Sequence, residues 1–272
     1  MTAKGVSSIA DGGSDTSKLT SRRMMKLLSE KNGIKIPVGE KIDGQKAGRL
    51  FEEAISNFLR KTLPHAGAAR PDAWSIARVG GSKGMEHIAA HEPYRHLQKL
   101  QEKIETDPLL ESILGNSYAI APDIVIARDA LTDEELNKNT FFVDDQSGLL
   151  SPTRARNREA PTQILHAVVS CKLTMRSDRS QNTRSEALNL IRNRKGRVPH
   201  FVVVTAEPMP SRIASLALGT GDIDMLYHLA LPELRESLDA DDAPKGWKEE
   251  LEMLIEGQRV RDIADLPLDL IS

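Results

Sequence analysis

Residues 164–206, ILHAVVSCKLTMRSDRSQNTRSEALNLIRNRKGRVPHFVVVTA, hold two apolar segments on either side of a long polar one. Ile164–Lys172 has the composition of a strand, and His200–Ala206 is so apolar that we expect a strand covered on both faces. The polar segment predicts a helix from about Arg179 to Lys195, because Gly and Pro follow it. A strand, helix, strand order predicts a parallel pair joined by a right-handed crossover.

Other segments extend this unit into an α/β fold. Apolar residues recur at helical spacing between Gly48 and Leu63, which predicts an amphipathic helix. Trp74–Val79 and Tyr118–Ala127 have strand composition, and the proline inside the second places it near a sheet edge or a bulge. Ile223–Leu231 predicts a further strand. We therefore predict one domain over residues 1–272, with a mixed central sheet of about five strands flanked by helices.

The remaining segments are less regular. Residues 1–20 are rich in Ser, Gly, Asp and Thr, and we expect a mobile N-terminal segment there. A helix is expected to begin at Pro93, a residue suited to the first helical position. Residues 129–162 are mostly polar and predict an excursion from the core, and the C-terminal segment is expected to be largely helical.

Composition excludes several classes of protein. No apolar run is long enough to span a membrane, and the N-terminus lacks the apolar region of a secretory signal. The single cysteine, Cys171, cannot form an internal disulfide, which favours a reducing, cytoplasmic location. We expect a globular cytoplasmic protein.

The charge is distributed unevenly. The chain has a net charge of −2, yet the segment 172–197 contains eight Lys or Arg and two acids and so carries +6. A local basic face on an acidic body is suited to holding phosphates at one place. A solvated helix face is the alternative interpretation.

Asp123, Ser170, Lys172 and Glu186 are the candidate catalytic residues. Phosphodiester hydrolysis needs an activated water and neutralised charge, which Mg²⁺ supplies when a few carboxylates hold it. Asp123 would be costly to bury beside an apolar strand without a partner, and Lys172 could polarise the attacking water. The competing interpretations are a strand-end aspartate, a solvent-facing lysine, and a capping box formed by Thr183 and Glu186.

The early helix offers two acids, Glu52 and Glu53. On a helical projection Glu52 flanks the apolar stripe, whereas Glu53 points away from it. A site at the edge of the core would use Glu52.

Arg176, Asp178 and Arg179 follow the candidate lysine within a few residues. Arginine can bind guanine O6 and N7, and aspartate can accept from cytosine N4, so the group suits a G/C-rich target read in the major groove. Short Arg/Asp clusters are also common as surface salt bridges.

The chain resembles the NgoMIV-type restriction endonucleases, a branch of the PD-(D/E)xK nucleases whose relatives read a CCGG core. The resemblance is specific in the central block and loosest in the first 40 residues and around 130–160. The matching segments are GQKAGRLFEEAI (44–55), APDIVIARD (121–129), the long block from Val168 to Asp224, and DIADLPLDL (262–270).

The resemblance implies a set of roles. Asp123 would bind the metal with the Cys171 carbonyl, Ser170 and Lys172 would form the variant acid-x-Lys motif, and Glu186 would supply the missing carboxylate. Glu52 would be the additional active-site acid. Arg176, Asp178 and Arg179 would read CCGG, and Gln45 would contact the outer pair in the minor groove.

The family further implies a target, GCCGGC cut after the first G, and a homotetramer that engages two sites. A palindromic site itself requires at least a two-fold dimer. A cognate DNA methyltransferase is expected in the host. The alternatives are a PD-(D/E)xK nuclease without strict specificity and a non-catalytic protein that binds G/C sites.

Overall fold

The computed structural model describes residues 1, 6–40, 42–66, 73–79, 84–114, 120–157, 162–175, 177–219 and 221–271. Within these ranges the strands are β1 (Trp74–Arg78), β2 (Ile124–Arg128), β3 (Ile164–Lys172), β4 (His200–Thr205), β5 (Met225–His228) and β6 (Val260–Asp262). They form one six-stranded sheet in the order β1-β2-β3-β4-β5-β6. The mixed α/β architecture is confirmed, with one strand more than predicted.

Helices flank this sheet along the described parts of the chain. They are α1 (Asp15–Asn32), α2 (Gly44–Thr62), α3 (Gly84–Ala89), α4 (His96–Thr106), α5 (Pro108–Leu114), α6 (Asp133–Leu136), α7 (Ser177–Asn193), α8 (Pro210–Ala217), α9 (Leu231–Ser237), α10 (Trp247–Glu256) and α11 (Leu266–Asp269). None of those described is long and apolar enough to cross a membrane.

The sheet is antiparallel on one side and parallel on the other. β1, β2 and β3 pair antiparallel, and β3, β4, β5 and β6 pair parallel. The predicted crossover is confirmed, because α7 joins β3 to β4 and Lys172 lies opposite Thr205. The start of β2 therefore lies beside the end of β3, and a site can form where the two strands meet.

The core is centred on β3 and β4, which are buried along nearly their whole length. Helix α2 packs on β1 and β3 through an apolar stripe that includes Phe51, Ile55 and Leu59. Asp43 caps this helix by accepting hydrogen bonds from the amides of Gln45 and Lys46 at 2.9 and 3.3 Å. The cap fixes the end of α2 that lies nearest the candidate site.

Helix α7 is held against α8 by an arginine. Arg184 donates to the Asp222 carboxylate at 2.6 Å and to the Leu216 carbonyl at 3.0 Å, at the C-terminal end of α8. The second bond satisfies the Leu216 carbonyl, which the end of the helix leaves without an intrahelical partner. Both bonds also fix the orientation of α7, which carries Glu186.

Several predicted boundaries are wrong. β2 begins at Ile124, so Pro122 precedes the strand and does not interrupt it. The helix predicted from Pro93 begins at His96, because Glu92 forms backbone hydrogen bonds with Gln163 and Leu165 beside β3. β6 went unpredicted, since a strand of three residues is too short to show alternation.

The first 20 residues contain more structure than their composition indicates. Helix α1 begins at Asp15, and the Ser14 side chain caps it by accepting from the Ser17 amide. Ser17 and Thr20 are buried. The segment expected to be mobile thus includes the first turns of a packed helix.

We predict that Leu59→Ala lowers the free energy of unfolding by about 2–5 kcal/mol, because the side chain is fully buried and its removal leaves a cavity. The matched control is Leu50→Ala on the same helix, where 47% of the residue is exposed and the loss should stay within about 0.5 kcal/mol. Urea denaturation measures both. Equal losses for the two variants would contradict the packing described for α2.

Candidate active site

A cleft of ≈ 960 Å³ opens where β1 ends, β2 begins and β3 ends. The antiparallel register places Arg78 opposite Ile124, and the Val79 amide donates to the Asp123 carbonyl at 2.9 Å. The predicted site residues that line the cleft are Gln45, Glu52, Asp123, Cys171, Lys172 and Glu186. Residues more than 120 positions apart are thus brought to one cavity by strand pairing.

Asp123 and Lys172 meet, as the sequence predicted. The Asp123 Oδ2 atom accepts from the Cys171 amide at 2.6 Å and from the Lys172 Nζ at 3.3 Å. Both side chains are largely buried, with 19% and 18% of their surfaces exposed. The carboxylate is therefore fixed in orientation by a backbone donor and a cation at once.

Glu186 enters the cleft from α7 with an uncompensated carboxyl group. It forms no hydrogen bond or ion pair with the part of the chain that the structure describes. Burial raises the pKa of Glu186 to about 7; the nearby Asp123 adds to this, and Lys172 opposes it. The capping-box alternative is wrong, because α7 begins at Ser177 and so Thr183 and Glu186 lie inside the helix.

Glu52 lies at the edge of the same cleft and is paired with Arg78. Arg78 Nη1 lies 3.4 Å from Glu52 Oε2. Burial raises the pKa of Glu52, as does Asp123, whereas Arg78 and Lys172 lower it. Glu53 is exposed and does not line the cleft, whereas Glu52 does.

The end of β3 contributes Cys171, whereas Ser170 lies deeper. The Cys171 thiol is buried, and burial raises its pKa well above the ordinary value. Ser170 is fully buried and does not line the cleft, and its Oγ has no hydrogen-bond partner among the residues that the structure describes. The structure therefore brings together every predicted catalytic or metal-binding residue except Ser170.

The predicted base-reading residues follow β3 in the sequence, and the structure describes them only in part. Arg176 lies outside the described residues. Asp178 and Arg179 belong to the first turn of α7, where the structure describes the helical backbone alone. Gln45 lines the cleft from the first turn of α2, so this predicted contact does face the site.

The donor set fits a hard divalent cation. Across the described ranges no group of three or more His, Cys, Asp or Glu side chains is placed to hold a metal ion. The candidate ligands in the cleft are the carboxylates of Asp123 and Glu186 and the backbone of Cys171, whereas Glu52 and Asp11, which also line it, are paired with arginines. Mg²⁺ is commonly held by so few protein oxygens, because phosphate and water complete its shell. The unpartnered Glu186 carboxyl fits such an ion, whose charge would offset the cost of burial.

Some residues in the cleft were missed by the sequence analysis. Arg78 contacts Glu52, and Asp11, which also lines the cleft, forms an ion pair with Arg212. Arg49 and Asn182 also line the cavity. Arg78 could have been found only by pairing β1 with β2 in the correct register. Arg49 lies one turn after Gln45 on α2, a spacing that the sequence does show.

Comparison with known proteins shows the family to which the chain belongs. A family model described as NgoMIV restriction enzyme matches residues 1–272. The chain is 44% identical over 270 residues to the type II restriction enzyme NgoMIV of Neisseria gonorrhoeae, covering 98% of this chain and 90% of that protein.

Two solved structures of the restriction endonuclease Bse634I also resemble the fold. The structure with cognate DNA has a TM-score of 0.43 and 13% identity, and covers 91% of this chain and 87% of that chain. The second has a TM-score of 0.38 and 15% identity, and covers 79% and 81%. Both overlaps are too low to carry an argument, so the family is established by the sequence matches.

The raised pKa of Glu186 predicts a pH-dependent stability in metal-free protein. Between pH 4.5 and about 7 the folded state keeps a proton that the unfolded chain has released. The free energy of unfolding therefore falls as pH rises through this interval, by up to about 3 kcal/mol. Glu186→Gln should remove this contribution, so the variant gains on the parent as pH rises.

Urea denaturation in the presence of a chelator, at about pH 5 and pH 8, measures the difference. Glu53→Gln is the control for removing one carboxylate from the surface. A parent and a Glu186→Gln variant that differ equally at both pH values would contradict the burial of Glu186.

Proposed function

Because the chain belongs to the NgoMIV restriction enzyme family, we propose that it is a type II restriction endonuclease that cleaves double-stranded DNA at GCCGGC, after the first G, with Mg²⁺ as cofactor. The family supports site-specific DNA cleavage by a nuclease. The observation that carries the proposal is the Asp123–Lys172 contact with Glu186 in the same cleft.

The residues of the cleft have separate roles in hydrolysis. Bound Mg²⁺ would activate water and neutralise charge at the phosphate, held by Asp123, Glu186 and the Cys171 carbonyl. Lys172 lies next to Asp123 and can orient the attacking water and stabilise negative charge at phosphorus. Glu52, kept beside Arg78, is the additional acid at the edge of the site. Ser170, which is buried in β3 two residues before Lys172, is assigned the acid position of the family motif.

Base recognition is assigned to Arg176 and to two residues of the first turn of α7, Asp178 and Arg179. Arg176, Asp178 and Arg179 carry the donors and acceptor that match the guanine and cytosine edges of CCGG. Gln45 is assigned to the outer base pair, and its place in the cleft supports this. Since α7 also carries Glu186, recognition and hydrolysis use one helix.

Self-association follows from the symmetry of the target. A palindrome presents two equivalent strands, so at least a two-fold dimer is needed to cut both. The excursion between β2 and β3 exposes Phe141, Phe142 and Leu150, an apolar surface that supports a homotetramer. A cytoplasmic location and a host methyltransferase that protects the same site complete the proposal.

Digestion of plasmid DNA in the presence of Mg²⁺ is predicted to give discrete fragments whose sequenced ends all map to GCCGGC after the first G. Replacing Mg²⁺ with a chelator should abolish cutting, because the protein supplies few charges of its own at the phosphate. A smear would favour a nuclease without strict specificity. Retarded but uncut DNA would favour a non-catalytic binding protein.

Asp123→Asn is predicted to lower the single-turnover cleavage rate by roughly 10²-fold or more, because it removes a ligand charge and the ion pair with Lys172. Binding of specific DNA, measured by gel retardation with Ca²⁺, should persist. The matched control is Asp129→Asn beyond the other end of β2, where the carboxylate accepts from Gln163 at 2.8 Å away from the cleft. Equal rates for the two variants would remove Asp123 from the active site.

A further inference from the structure

A second buried carboxylate, Glu207, lies just beyond β4 and has no place in the site described above. The residue is fully buried and does not line the cleft. Its two oxygens nevertheless accept from two separate segments: Oε2 from the Met175 amide at 2.7 Å, and Oε1 from the Met209 amide at 3.2 Å. One side chain thus joins the β3–α7 connection to the start of α8.

The contact with Met175 lies between Lys172 and the start of α7. Met175 is itself buried, lies three residues after Lys172 and immediately precedes Arg176. The parallel pairing of β3 and β4 ends at Lys172 and Thr205, so no strand partner remains for the Met175 amide. The Glu207 carboxylate takes over that role and fixes the chain between the catalytic lysine and the first turn of α7.

Glu207 also faces a cation that lines the cleft. Arg212 Nη1 lies 3.8 Å from Glu207 Oε2, and Arg212 forms an ion pair with Asp11. Asp11 and Arg212 both line the cleft, and Asp11 lies in the turn that precedes α1. A chain of alternating charges therefore runs from the buried Glu207 to the wall of the cleft.

The main chain of Glu207 is held as firmly as its side chain. The His228 Nδ1 atom accepts from the Ala230 amide at 3.1 Å, which leaves Nε2–H to donate to the Glu207 carbonyl at 3.2 Å. The Glu207 amide donates to the Thr205 Oγ1 at 3.1 Å. Because its backbone and its carboxylate are both held by hydrogen bonds, Glu207 can fix the positions of the Met175 and Met209 amides.

We propose that Glu207 is a positioning residue for sequence discrimination, which sets the base-reading turn of α7 relative to Lys172 and ties it through Arg212 to Asp11. This inference rests on the proposed function, because it takes Arg176, Asp178 and Arg179 as the readers. A buried anion is costly, and burial raises the pKa of Glu207 to about 6. A glutamine could accept only one of the two amide bonds, because its nitrogen is a donor, so the carboxylate is needed to hold Met175 and Met209 together and its charge also serves Arg212.

The test uses Glu207→Gln in the full-length protein and two DNA duplexes, one with GCCGGC and one with a central base pair changed. We expect the ratio of kcat/KM between the two duplexes to fall roughly 10-fold, since a small misplacement of positioning groups has effects of this order. Cleavage of the unchanged site should fall much less. The ratio cancels any titration of the catalytic groups that the two substrates share.

Asp224→Asn is the matched control, because Asp224 accepts from the Phe201 amide at 2.6 Å at the opposite end of β4. The control should leave the ratio unchanged whatever it does to the melting temperature. Glu207→Asp, which keeps the charge but withdraws it from Met175, is a second variant should Glu207→Gln not fold, and it should also lower the ratio.

The outcomes separate the two ideas. An unchanged ratio in folded Glu207 variants, whatever their melting temperature, would leave Glu207 without a positioning role and overturn the inference alone. A parent protein that cuts both duplexes equally would instead refute the proposed function, and the inference with it.

Discussion

The hydrogen bond from the Cys171 amide to the Asp123 carboxylate is the interaction on which the site depends. It exists because β2 and β3 run antiparallel, so that the residue before one strand meets the last residues of the other. The same oxygen, Oδ2, also accepts from the Lys172 Nζ at 3.3 Å. Because strand pairing and not a flexible loop sets this contact, the site has little freedom to rearrange.

The electrostatics of the cleft follow from crowding like charges around that contact. Glu52, Asp123 and Glu186 face one cavity, and the first and last of these have raised pKa values because burial and Asp123 both disfavour a further negative charge. Lys172 and Arg78 offset part of the repulsion. Negative charge is disfavoured at Glu52 and Glu186, and a bound divalent cation would relieve that cost.

The sequence was sufficient to predict elements and site residues where local pattern and spacing along the chain determine the structure. The crossover from β3 through α7 to β4 followed from composition, and Glu52 was separated from Glu53 by helical projection alone. It failed where the answer depends on tertiary pairing. Arg78 joins the cleft through the register of β1 on β2, which no local pattern encodes. Glu207 reads as an isolated acid before Pro208, and its burial appears only when β4 is placed beside β3. The depth of Ser170 likewise depends on where the sheet ends and the cavity begins.

The environment of Cys171 has a practical consequence. It is the only thiol in the chain, it is buried, and its raised pKa keeps it protonated, whereas alkylating reagents attack the thiolate. The native protein should therefore behave towards maleimides almost as if it were free of cysteine. A fluorophore or spin label could then be attached at a single introduced surface cysteine without replacing Cys171. The residue that donates to Asp123 would stay as it is, and the labelled protein could be used for distance measurements on DNA complexes.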